Sequence, residues 1–71
     1  MSQYAAKKIM EVATRHLAEQ DAVLIQIQSL CTKDEFGEYR RMIGKSMGAM
    51  LFEIIYPIVA KYPELKPPQL A

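Results

Sequence analysis

No proline occurs before Pro57, and the three glycines, Gly37, Gly44 and Gly48, all lie in the second half of a 71-residue chain. Residues 3 to about 31 are therefore free of both strong helix breakers. The side-chain pattern agrees with a helix there. At 100° per residue, Ile9, Met10, Val12, Ala13, Leu17, Val23, Leu24, Ile27, Leu30 and Cys31 fall on one arc of roughly 160°. An arc that wide faces more than one neighbour. Within it, Met10, Ala13, Leu17, Gln20, Leu24, Ile27 and Cys31 keep the narrower 3-4 spacing of a helix–helix seam. Lys7, Glu11, Arg15 and Glu19 alternate in sign at i,i+4 on the far side, which reads as a solvated face interrupted only by Ile25. Ser2 stands where an N-cap belongs.

Thr32 and Glu35 form the spacing of a capping box, and Asp34 and Glu35 suit the positive end of a helix dipole. A second helix is expected from about 33 to 61, reached through two or three residues, so that the two helices form an antiparallel hairpin. Pro57 removes one backbone donor and should disturb this helix a turn earlier, near Glu53 or Ile54. Residues 62–71 hold three more prolines and are expected to run as an extended Pro-rich tail, with Leu65 and Leu70 covering the end of the bundle. The domain reading is thus a hairpin over 1–61 and a tail over 62–71.

Two arcs are expected on the second helix. Phe36, Tyr39, Ile43, Met47, Met50, Leu51, Ile54 and Ile58 should pack on the first helix. Gly44, Gly48, Phe52, Ile55 and Val59 form a separate arc that one partner helix cannot cover. A chain of 71 residues has little core of its own, and the usual supplements are disulfides, a metal or self-association. One cysteine excludes an internal disulfide, and one histidine with one cysteine makes a poor metal cage. Self-association remains. The expected fold is all-α, a two-helix antiparallel hairpin homodimerising into a four-helix bundle, with the Gly44/Gly48 arc as the oligomer interface.

Candidate chemistry is sparse. His16 and Gln20 alone interrupt the apolar arc of the first helix, four residues apart. Pairing the helices outward from the turn sets Gln20 level with Ser46 and Met47, and His16 level with Met50, with Glu53 about a turn away. His16, Gln20, Ser46 and Glu53 therefore form a candidate polar cluster. Its functional reading is a ligand or proton-transfer site centred on His16, and its structural reading is a network that fixes register and oligomer state. Arg40, Arg41 and Lys45 form a basic patch that, doubled in a dimer, would suit RNA phosphates; Asp34, Glu35 and Glu38 beside it cancel much of the field. Cys31 reads as a small buried hydrophobe.

Residues 42–60 approach transmembrane length and contain a GxxxG, Gly44 to Gly48, but Lys45 and Glu53 fall inside that stretch. A net charge of +1 supplies no bulk attraction to nucleic acid or anionic membrane. With no apolar targeting segment near Met1 and a lone cysteine, the expectation is a cytoplasmic, non-enzymatic interaction or regulatory protein. Its partners are then itself and another protein. No catalytic residues, metal or cofactor are expected.

Overall fold

In the computed structural model, which describes residues 1–68, the chain is all-α and contains no strand among the described residues. Helix α1 spans Gln3–Ile27 and α2 spans Lys33–Met50. A π-helical segment, Leu51–Ile55, links α2 directly to α3, Tyr56–Lys61, and a 3-10 turn at Pro63–Leu65 comes after it.

Both helix starts are capped by side chains. The Ser2 hydroxyl accepts from the Ala5 amide at 3.1 Å. At α2 the Thr32 hydroxyl accepts from the Glu35 amide at 3.2 Å, and the Glu35 carboxylate accepts from the Thr32 amide at 2.8 Å. These two bonds satisfy amides that have no partner inside the helix. Capping also sets where α1 stops. Thr32 holds an extended backbone, φ −66° and ψ 164°, much as Ser2 does with φ −79° and ψ 159°. The chain must leave α1 early enough to reach that geometry. Helix α1 therefore ends at Ile27 rather than near 31, and the connection is residues 28–32, longer than the two or three residues expected. The Leu30 amide closes the first turn of this connection on the Ile27 carbonyl at 2.9 Å.

The disturbance expected from Pro57 takes the form of the π turn. The Tyr56 amide bonds to the Leu51 carbonyl, five residues back, while the Leu51 amide is shared between the carbonyls of Met47 and Gly48. A proline ring presses on the carbonyl four residues before it and offers no N–H in exchange. Widening the preceding turn by one residue accommodates both effects and lets the helix run on to Lys61. The extra residue also rotates the helix beyond it. Ile54, expected to face α1, is 38% exposed, and Ile55, expected on the glycine arc, is fully buried.

The core forms where Ala6, Met10 and Ala13 of α1 meet Ile55 and Ile58, with Leu17, Met50, Leu51, Val59, Tyr62 and Leu65 packed around them. Two alanines in α1 leave room for the two isoleucines. Ile55 is the only large side chain among these that is fully buried, so the core is thin. Burying one such side chain contributes only about 1.5–3 kcal/mol. Met1 and Gln3 meet the other end of the helical run. The Tyr62 hydroxyl donates to the Met1 carbonyl, and the Gln3 amide donates to the Glu64 carboxylate at 2.8 Å. At mid-length, Gln20 bonds to Ser46.

The tail is not extended from its start. Pro63–Leu65 make a 3-10 turn, closed by the Leu65 amide on Tyr62 and the Lys66 amide on Pro63, and only at Lys66 does the backbone extend. Leu65 packs on the core and Pro67 is buried. Leu70 lies outside the described residues.

Candidate functional site

The seam spacing of α1 separates its apolar residues into two sets. Met10 and Ala13 are buried, and along the same seam Leu17, Gln20, Leu24, Ile27 and Cys31 are half-buried. The remaining members of the wide arc stay open to solvent: Ile9 at 38% exposure, Val12 at 44%, Val23 at 44% and Leu30 at 79%. The 3-4 seam faces the second helical run, α2 through α3, and the excess faces solvent.

Those open residues share one flank with exposed groups of the second helical run. A groove of about 480 Å³ is lined by Ile9, Val12, Ala13 and His16 from α1 and by Met50 and Ile54, with Lys8 at its edge. It continues past His16 into a second groove lined by Glu19, Gln20, Val23 and Ile43. Tyr39 and Met42, both about half exposed, lie further along with Glu35 and Glu38. The opposite flank is different. There the tail lies over α1, with Glu64, Leu65 and Pro67 against Lys7, Met10, Glu11 and Thr14. Thr14 turns its hydroxyl back to the Met10 carbonyl at 2.7 Å, which spares it from needing another partner.

Of the four polar cluster residues, two are joined. Gln20 donates to the Ser46 hydroxyl at 3.2 Å, and its own carbonyl oxygen is buried without a donor among the described residues. His16 is exposed and lines both grooves of the open flank, next to Gln20 in one and Met50 in the other. Glu53 is exposed and forms no ion pair with His16 among the described residues. The cluster is therefore a bonded pair with a neighbouring imidazole. Among the described residues no three His, Cys, Asp or Glu side chains come together.

The glycine arc also divides. Gly44 and Gly48 have open space where a side chain would stand, so no crossing among the described residues depends on them. Phe52 is 70% exposed and meets Tyr56 edge-to-face at 5.2 Å between ring centres. Ile55 and Val59, by contrast, belong to the chain's own core. Ile55 therefore cannot serve as an exposed interface residue; the π turn has carried it inward. Arg40, Arg41 and Lys45 are exposed. The ion pair found among the described residues is Lys8 with Glu11, at 3.7 Å on α1.

Sequence reasoning reaches two features only in outline. The width of the α1 arc signals a second exposed face but does not separate Ile9, Val12 and Val23 from the seam. Pro57 signals a disturbance near Glu53 or Ile54 but not its form, a π turn. The run Lys33–Lys61 is also long and apolar enough to cross a membrane by length and composition. No protein-family model, curated protein or solved structure matches the chain.

Proposed function

We propose that this chain is a non-enzymatic interaction protein: an antiparallel helical hairpin that pairs with a second copy to close a four-helix bundle and acts on another protein through the bundle's outer surface. The observation that carries the reading is the imbalance between a thin core and a long open apolar flank. Ile55 is the one large side chain wholly buried among the described residues, while Ile9, Val12, Val23, Met42 and Ile54 remain 38–53% exposed. A soluble helix with that much uncovered apolar surface needs a neighbour.

The antiparallel arrangement is supported by bonds at two levels: Met1 with Tyr62 and Gln3 with Glu64 at one end, and Gln20 with Ser46 at mid-length. Cytoplasmic residence fits the half-buried, free Cys31. The RNA reading would rest on Arg40, Arg41 and Lys45, and the ligand reading on His16 beside Gln20; each lacks a convergent set of groups.

A second reading rests on the apolar run Lys33–Lys61, which would place α2 and α3 against lipid. Lys45 and Glu53 oppose it, each costing about 2.5–3.5 kcal/mol near a bilayer centre. Light scattering behind a sizing column, without detergent, separates the two. A molar mass near twice 8.1 kDa supports the bundle. Recovery only with detergent or vesicles supports the membrane reading.

A further inference from the structure

We propose that the open flank is the interface with the second copy, and that the two-fold axis crosses it at the Gln20–Ser46 pair. The inference rests on the dimer reading and adds its face and its symmetry.

Area comes first. A folded monomer of 8.1 kDa exposes about 4,500 Å² by the usual mass scaling. This chain exposes 5342 Å². The excess, roughly 800 Å², is what each partner contributes to a protein interface of standard size. The tail covers the opposite flank of α1 from Lys7 to Thr14, with Pro67 buried, whereas Ile9, Val12 and Val23 stay open on this one.

Spacing then selects the symmetry. A two-fold axis perpendicular to the helices runs each helix antiparallel to its own copy, so residue i meets j and j meets i. The stripe reads the same in both directions from α1 into the connection: Ile9 pairs with Leu30 of the connection, Val12 with the half-buried Ile27, and His16 with Val23. Its midpoint falls between Glu19 and Gln20. On the second helical run, Tyr39 pairs with Ile54 and Ile43 with Met50, about a midpoint between Ser46 and Met47. Two stripes on different helices need not have level midpoints. Here the hydrogen bond from Gln20 to Ser46 sets them level.

The polar pair then sits at the centre of an apolar face. The Ser46 hydroxyl accepts from Gln20 and keeps its own proton to donate, and the Gln20 carbonyl oxygen lacks a donor among the described residues. Near the axis the Ser46 hydroxyl meets its own copy, so a second chain brings the missing acceptor for its proton. A central polar pair of this kind penalises a slipped register, because slippage buries each amide against apolar side chains.

Single cysteines in a Cys31→Ser background test the face. Ser46→Cys should form an interchain disulfide under mild oxidation, since residues beside the axis bring their Cβ atoms within disulfide reach. Gly48→Cys, on the far side of α2, should not. Independently, Val23→Glu should keep its helicity and raise the dimer dissociation constant about a hundredfold or more, because a carboxylate is then desolvated within the apolar flank on each side of the axis. Phe52→Glu should leave that constant unchanged. A dimer that cross-links through Gly48→Cys and dissociates with Phe52→Glu overturns the face and keeps the dimer. A mass of 8.1 kDa for the unaltered chain at micromolar concentration overturns both.

Discussion

Gln20 donates through Nε2 to the Ser46 hydroxyl at 3.2 Å and so ties α1 to α2 at mid-length, while its Oε1 is buried with no donor among the described residues. Leaving a buried acceptor unpaired costs about 1–3 kcal/mol. The residue occupies a seam position where an apolar side chain would pack without that cost. Gln20→Leu should therefore raise stability, by about 1 kcal/mol in urea unfolding, and at the same time loosen register. The second effect would show as mixed molar masses in place of one species. A single sharp species in Gln20→Leu would deny the pair any part in specifying assembly.

The π turn makes an opposite pair of expectations for neighbouring apolar residues. Ile55→Ala empties a fully buried site and should cost about 2–5 kcal/mol. Phe52→Ala, at a site 70% exposed, should change stability by no more than about 0.5 kcal/mol. Thermal or urea unfolding of both variants is sufficient. Equal losses would mean that the inward face had not shifted by one residue.

Gly44 and Gly48 are helical glycines with open space beside them. Alanine at either position should stabilise α2 by up to about 1 kcal/mol through helix propensity and leave the proposed dimer intact. The GxxxG spacing alone argues the reverse, that these glycines are needed for a close crossing. Dissociation of the dimer in Gly48→Ala would restore that reading.

Glu35 is held below the usual carboxylate range, first by the Thr32 amide that it accepts from and then by the Thr32 side chain. A lowered folded-state pKa means that the capping contribution is complete above the ordinary glutamate value. It is lost as pH falls through the lowered one. Side-chain NMR titration should place Glu35 below an unstructured glutamate, and the first turn of α2 should fray in the same pH interval. Glu35→Gln, which keeps an acceptor, should abolish the titration while preserving most of the cap.

Much of this fold is legible in the sequence because it depends on local signals. The capping box at Thr32 and Glu35, the N-cap at Ser2 and the 3-4 seam from Met10 to Cys31 each involve residues a turn or two apart, and each stands where its spacing places it. The Gln20–Ser46 pairing emerges from measuring outward from the turn. A choice between equivalent ways of relieving strain is not legible. Pro57 can be met by a kink, a break or a widened turn, and only the π turn exchanges Ile54 for Ile55 as the inward residue. The candidate site suffers from that exchange. An arc drawn through Gly44, Gly48, Phe52, Ile55 and Val59 joins residues before, within and after the π turn, and the widened turn separates them. Likewise His16 and Glu53 are about a turn apart on an ideal helix pair, yet Glu53 sits inside the widened turn and forms no ion pair with His16 among the described residues.

The most direct measurement is a filtered NOE experiment on a mixed sample, half labelled with ¹³C and ¹⁵N and half unlabelled, which registers only contacts between chains. A two-fold bundle centred on Gln20 and Ser46 gives interchain contacts from Val12 to Ile27, from His16 to Val23 and from Ile43 to Met50. Interchain contacts confined to Gly44, Gly48 and Phe52, or none at all in a sample of confirmed monomer mass, would contradict it.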